Sequence, residues 1–355
     1  MWLLFSALLG LGLAQEHVQD VYTTLSERYD DSLLQKAAIE GMLQLVDQQS
    51  GLTGSKILTY PEFKDWKDWK RGERVGYGIR IQVLAGRGLV IDHVMIDSPA
   101  HKAGLQAGDF IVSINTRSLS GMSADQMLSV LESEGVERLT VDILREGTQR
   151  TMNLQKGPFV VPQVTWLTEP QLPSKPVLQV QFFGENSSKQ IKKYLEEGSV
   201  FILDLRDNQG GLWEEAVSTL DMFFPKDTVL AYRQYADGTK IPVLSQSPAV
   251  HTEPVVILIN QGTRGPAELV ALTLQENGMA TLVGERSAGE AIDYHVLYPN
   301  KQLVLLMADV RLLSSKKRQW HDAGVVPNLS ISSSQSYRGE DRQQQAAIQL
   351  ISSKP

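Results

Sequence analysis

The 355-residue chain contains no cysteine. Disulfides, thiolate nucleophiles and zinc–cysteine sites are therefore excluded. Its six histidines are scattered, and no two have the spacing of a helical H-E-x-x-H pair. No metal and no cofactor is expected. Basic charge is scarce: 34 Lys and Arg stand against 41 Asp and Glu, a net charge of -7. A nucleic-acid footprint needs a basic patch, so nucleic acid is not an expected partner. Long apolar runs are missing after residue 14, and nothing later approaches the ~18 residues of a membrane span. The mature chain is expected to cross no membrane.

What is present is the balance of an ordinary globular protein, with 42% apolar and 21% charged residues. The length suits two or three domains. Trp2 to Leu13 is almost wholly apolar, Ala14 is small, and Gln15-Glu16-His17 is polar. This is the pattern of a secretory signal peptide cleaved after Ala14, and it is too short for a comfortable span.

Val18, Val21, Leu25 and Tyr29 recur at helical spacing, and Leu33, Leu34, Ala37, Ala38, Met42 and Val46 continue it. Two helices are expected there. Residues 75–157 read as short strands around one helix, Ser123 to Ser133, with Ser123 as N-cap. From 158 onward strands alternate with helices. Strands are expected at Pro176–Phe183, Val200–Leu205, Val255–Ile259 and Thr281–Val283, and helices at Ser187–Glu197, Trp213–Phe223, Glu268–Gln275 and 339–352. Such alternation implies a sheet with parallel pairs, whose ligand sites lie beyond the carboxyl ends of the strands.

Ser98 to Asn115 reads SPAHKAGLQAGDFIVSIN. Gly104 and Gly108 permit positive φ in tight turns, and Asp109 can satisfy backbone donors there. The string resembles the PDZ signature S-P-A-x-x-A-G-L-x-x-G-D-x-I-x-x-I-N. Leu203 to Gly211 reads LDLRDNQGG, similar to L-D-L-R-x-N-P-G-G of the carboxyl-terminal processing (tail-specific) peptidases. GTRGPAELVA (Gly262 to Ala271) falls where that family carries G-S-A-S-A-S-E-I-V-A, and VGERSAGEAIDY (Val283 to Tyr294) where it carries V-G-E-x-T-x-G-K-G-x-x-Q. DAGVVPNLSI (Asp322 to Ile331) and AAIEGMLQLVDQQSGL (Ala37 to Leu52) resemble two further family segments. The motifs stand in family order over nearly the whole mature chain.

The resemblance implies an α/β (α+β) fold: a mixed-sheet peptidase core, an inserted small PDZ β-barrel and N-terminal helices. The expected segments are a signal peptide at 1–14, a helical region at 15–74, the PDZ domain at 75–157 and the core at 158–355. In the PDZ domain it implies a carboxylate-binding loop at Gly76, Tyr77, Gly78 and Ile79, facing Met127 and Leu131 on the helix. The partners implied are protein C-termini or unfolded polypeptide, an active paralogue, and further copies of the chain. The location implied is secreted or periplasmic, in a bacterial envelope.

The family's chemistry is a serine–lysine dyad: a buried lysine of lowered pKa activates the serine, and backbone N–H groups hold the oxyanion. Aligned on Glu268, the nucleophile position is Gly265, which has no side chain. Aligned on Gly284, Glu285 and Gly289, the lysine position is Glu290 and the orienting glutamine position is Tyr294. The oxyanion positions are Gly210, Gly211 and Pro266, and proline has no N–H to give. No serine lies between Ser247 and Ser287 to restore the nucleophile. The expectation is a pseudopeptidase that binds protein C-termini or extended peptides, or scaffolds a partner. The alternative is an active endopeptidase with relocated residues, drawn from Thr263, Ser287, Asp293 and His295. Arg206, Trp213, Trp320 and His321 are expected to be structural. Export carries its own check: intact mass of the chain recovered outside the cytoplasm is expected to place Gln15 at its N-terminus, and an unprocessed Met1 would refute the signal peptide.

Overall fold

In the computed structural model, residues 17–131, 137–169, 172–197, 202–332 and 341–352 are described. The proposed signal segment, residues 1–14, lies outside them. The chain divides into two units. One comprises the chain up to Phe63, Arg233–Ile241 and Ile292–Leu312; the other holds Lys64–Tyr232, Pro242–Ala291 and the chain from Leu313.

In the first unit, residues 17–26 form one helix and Asp31–Ser50 another. The Asp30 side chain caps the second by accepting from Leu33 N–H at 3.0 Å, and Gly51 ends it at φ +64°. This satisfies orphan groups at both termini. The apolar stripe read from the sequence is largely uncovered here: Val21, Tyr29, Leu33 and Met42 are exposed. The region 15–74, expected as helical, also contains strands Lys56–Thr59 and Glu73–Gly76. Strand Leu303–Ser314 pairs antiparallel with Lys56–Thr59 and with Ile292–Leu297. Its alternate residues Val304, Leu306, Ala308, Val310 and Leu312 are fully buried, as a sheet with one packed face requires.

Within the second unit, six strands form an antiparallel sheet: Ile79–Leu84, Gly88–Val94, Phe110–Ile114, Arg138–Arg145 and Thr148–Gln155 lie in that order, and the short Arg117–Ser118 pairs with Phe110–Ile114 off this path. Leu89, Ile91, Ile111, Ile114, Leu139, Val141 and Ile143 make its core, closed by Met127 of helix Ala124–Leu131. Ile79–Leu84 is the edge strand of this sheet. The turn signature forms as its residues dictate. Ser98 caps the short helix Pro99–Lys102 through His101 N–H, and Asp109 accepts from Gln106 N–H at 2.9 Å. Gly104 and Gly108 take φ of +84° and +91°. Asp109 is almost wholly buried and receives a two-pronged ion pair from Arg145, both contacts at 2.6 Å.

The remainder of this unit is built on a six-stranded mixed sheet: Val164–Glu169, Leu172–Val180, Ile202–Asp204, Val255–Ile259, Ala280–Gly284, Leu329–Ser330. The first pair is antiparallel and the other four are parallel. Every residue of Val255–Ile259 is buried, which is why the sequence shows a continuous apolar run there. Helix Arg342–Ser352 lays Ala347 and Ile351 against Val256, Leu258 and Val283. Its start falls three residues later than read from the sequence, and residues 339–340 lie outside the described chain.

The Asp109–Arg145 pair generates a prediction. Asp109→Ala leaves the Arg145 guanidinium with a lost partner in a largely buried setting, which costs about 3–5 kcal/mol. Urea denaturation is expected to show that loss; a change under about 1 kcal/mol would mean that the pair does not hold the turn.

Candidate active-site region and peptide groove

Three loops leave the carboxyl ends of parallel strands. The first follows Asp204. Its Asn208 side chain is fully buried, donating to Val180 O at 2.7 Å and accepting from Gly210 N–H at 2.9 Å. The Gly210 N–H, one of the expected oxyanion donors, is thus engaged within its own loop. Gly211 takes φ +119° and packs so close that a Cβ would meet Phe183 O at 2.4 Å. Arg206 is held by Asp204 at 2.9 and 2.7 Å and by Asp341 at 2.7 Å, which ties this loop to the start of the C-terminal helix. That is a structural role. Burial opposes the Arg206 charge, but the two carboxylates outweigh it and raise its pKa above the ordinary value.

The second loop runs from Asn260 to Gly265, the N-cap of helix Pro266–Glu276. Thr263 is fully buried. Its hydroxyl donates to Leu205 O at 2.8 Å and accepts from Asn260 N–H at 3.0 Å. Gly265 has φ +52° and ψ −118°, a conformation that strains any residue with a side chain. A Cβ there would still find room, its nearest neighbour being Glu290 O at 3.7 Å. The adjacent Pro266 occupies the first helical position, where a missing N–H costs no intrahelical bond.

The third loop, after Gly284, is organised by a carboxylate from the second. Glu268 is completely buried. It accepts from Gly265 N–H at 2.9 Å, from Gly289 and Glu290 N–H at 2.7 Å each, and from the Ser287 hydroxyl in a short bond. Burial pushes the Glu268 carboxyl above its ordinary value, and these four hydrogen bonds offset only part of that rise. Four donors on two oxygens is the environment of an ionised carboxylate, an acceptor only.

The two positions at which the resemblance expects nucleophile and base therefore come together: the backbone at 290 faces the empty side-chain site at 265. The Glu290 carboxylate itself turns to Arg264, at 2.7 Å. Arg264 escaped the sequence reading, although opposite charges at the two degenerate positions were visible in it. Tyr294 lies on strand Ile292–Leu297 in the first unit, its N–H directed to Asp293 Oδ1 at 2.9 Å.

The candidates for relocated catalysis have other employment. The Ser287 Oγ receives Val325 N–H at 2.7 Å while donating to Glu268. Asp293 pairs with Arg233 at 2.7 Å, and His295 Nδ1 faces Asp309 at 3.0 Å. Trp320 is buried, and His321 Nδ1 accepts from Ala291 N–H at 3.3 Å.

In the barrel domain, Gly78 has φ +75°, and a Cβ on it would come within 2.1 Å of Ser98 Cβ. Only glycine fits between this loop and the signature turn. Tyr77 O accepts from Ala100 N–H at 2.9 Å, and Gly78 O from Met95 N–H at 2.9 Å. Ile79 and Ile81 of the edge strand are half-buried, as is Leu131. Met127 differs from the sequence expectation: it is fully enclosed in the core, because the helix packs that face inward, so Leu131 is left as the groove-side residue of the two.

The family model for peptidase family S41 matches residues 177–331, and the PDZ domain model matches 66–144. The chain belongs to peptidase family S41 and carries a PDZ domain. It is 26% identical over 324 residues to the carboxy-terminal processing protease CtpA of Bacillus subtilis, covering 90% of this chain and 68% of that one. The carboxyl-terminal-processing protease of Synechocystis is also 26% identical, over 88% of this chain and 76% of its own. Among solved structures, a putative S41 protease from Bacteroides fragilis shares the fold with a TM-score of 0.63 at 19% identity, covering 84% of this chain and 86% of that one. The photosystem II D1 C-terminal processing protease gives 0.57 at 21%, over 85% and 83%. Both likenesses bear out the mixed α/β core with N-terminal helices.

The S41 scaffold suggests a direct test of its buried carboxylate. Glu268→Gln must turn its NH2 either to the Gly289 N–H and Ser287 hydroxyl or to the N–H groups of Gly265 and Glu290, so it strands at least one backbone donor. At about 1–3 kcal/mol per stranded donor, the loss is expected to be at least about 1–3 kcal/mol. Thermal unfolding is the measurement, and an unchanged melting temperature would show that Glu268 does not hold the loops.

Proposed function

We propose that this S41 family member is an exported pseudopeptidase: it binds protein C-termini or extended peptides through its PDZ domain and does not cut them. The observation that carries the reading is the Arg264–Glu290 ion pair beside the side-chain-less Gly265. A serine–lysine mechanism needs a nucleophile at 265 and a proton acceptor that is neutral when it acts. Glycine supplies no nucleophile. A carboxylate paired with arginine has no drive to take a proton from an alcohol, and the pair does not supply the neutral base that the mechanism requires. Pro266 removes an oxyanion donor, which by itself costs on the order of 10²–10³ in rate.

Peptide binding needs none of these groups. A PDZ domain binds a chain end by adding it as a strand to a free sheet edge. Ile79–Leu84 is such an edge, with half-buried Ile79 and Ile81 and the Gly76–Gly78 loop at its start. Export is supported by the apolar segment that ends at Ala14. Among the described residues no helix is long and apolar enough to cross a membrane.

The test pairs two assays on the purified chain: hydrolysis of unfolded casein and binding of a C-terminal peptide library. Binding without hydrolysis is expected. Gly265→Ser combined with Glu290→Lys probes the positional assignment, and any hydrolysis gained ties those positions to nucleophile and base. Hydrolysis by the unaltered chain that co-purifies with it would sink the reading.

A further inference from the structure

In the second unit, strands Glu73–Gly76 and Gly157–Val160 pair antiparallel as a two-stranded ribbon of their own. The register sets Glu73 opposite Val160 and Val75 opposite Pro158, so these four residues share one face. All four are exposed, Val75 by 70% and Val160 by 58%. The other face, with Arg74 and Phe159, is half-buried. Exposed apolar residues gathered on one face, rather than scattered singly, mark a binding surface.

Lys64, Asp65, Asp68 and Trp69, from helix Tyr60–Lys70, close a cleft of about 850 Å³ against the ribbon. Small-molecule sites run to roughly 300–1,000 Å³. None of Gly76, Tyr77, Gly78, Ile79 and Leu131 of the peptide groove lines this cleft. Its charges balance: Lys64, Arg74 and Lys156 stand against Asp65, Asp68 and Glu73. The hydrogen bond from Lys64 to Asp68 raises the Lys64 pKa, and the charges of Asp65 and Glu73 add to the rise, so all three carboxylates act on one ammonium. The side chains of Asp65, Glu73 and Lys156 make no ion pair with a described residue. Trp69 keeps 37% of its surface exposed, with the Arg74 guanidinium 4.9 Å from its ring centre.

We propose that this cleft binds a neutral oligosaccharide. A sugar ring has two kinds of surface, and the cleft has a counterpart to each. The C–H face of the ring is apolar and weakly positive. It packs on an indole, whose face is negative, and on the methyl groups of Val75 and Val160. The hydroxyls both donate and accept. Asp65 and Glu73 can accept from them, and Lys156 can donate to them. Three cations against three carboxylates give an ionic ligand of either sign no net attraction. A peptide strand fits poorly, because strand addition needs a free sheet edge, whereas the exposed side chains here stand on a ribbon face and Pro158 has no N–H to pair. A wholly apolar ligand would strip water from the carboxylates and return no hydrogen bond. Neither Gly265 nor Glu290 lines the cleft, so the inference stands whether or not the chain cuts.

Isothermal titration of the full chain with cellotriose, maltotriose and chitotriose tests this. At least one of them is expected to bind with a Kd between about 10 µM and about 1 mM. That affinity should hold as NaCl rises from about 50 to about 500 mM, since a neutral ligand offers salt no charge to screen. Trp69→Ala is expected to weaken binding about tenfold. Asp65→Ala and Lys156→Ala change exposed residues and should leave the melting temperature unaltered. Each is expected to weaken binding about two- to tenfold, so the test holds even if Trp69→Ala does not fold. Leu131→Asp, aimed at the peptide groove, is expected to leave sugar binding unchanged, so failure of the groove reading is told apart from failure of this one. No binding of any of the three sugars at about 10 mM, or an affinity untouched by both Asp65→Ala and Lys156→Ala, overturns the proposal. So does tighter binding of trigalacturonate or of decanol that the same substitutions weaken, because the occupant would then be anionic or wholly apolar.

Discussion

A single buried carboxylate holds the catalytic end of the fold together. Glu268 collects N–H groups from its own helix cap and from the loop after Gly284, together with the Ser287 hydroxyl. Ser287 passes the connection on to Val325 in the last motif. Thr263, two residues before the cap, reaches back to Leu205 in the first motif, and its carbonyl receives Ala288 N–H at 3.0 Å. The four motifs of the core are therefore joined by one hydrogen-bond network built on backbone groups and the side chains of Glu268, Ser287 and Thr263. Its cost of assembly is the desolvation of one charge, which is tolerable only because every lone pair direction has a donor.

That network separates two properties that an intact serine–lysine enzyme keeps in the same place. The geometry of the loops depends on backbone donors and on Glu268. Under the proposed reading the chemistry depends on positions 265 and 290, where this chain has a glycine and a carboxylate turned to Arg264. Glycine at 265 and a carboxylate at 290 alter the second without disturbing the first. Arg264 then meets the new charge at 290 in a half-exposed pair, worth little to stability but enough to keep the carboxylate from facing the loops unneutralised. Under the proposed reading, loss of cutting and persistence of the S41 fold have one physical cause.

The motifs, the parallel strands and the helices after Ser187 could be read from the sequence because each rests on local rules. Glycine at 78, 104 and 108 answers to backbone conformation, and Val255–Ile259 answers to burial on both faces. Strand Leu303–Ser314 was equally legible by its alternation and was passed over. Helix Tyr60–Lys70 was legible too, because Tyr60, Phe63, Trp66 and Trp69 recur at every third position between its Lys and Asp residues. Met127 shows the limit of placing a residue by resemblance. Position on the helix could be read, but rotation of that helix by packing could not. The Arg264–Glu290 and Arg206–Asp341 pairs join residues 26 and 135 positions apart, and nothing local announces such partners.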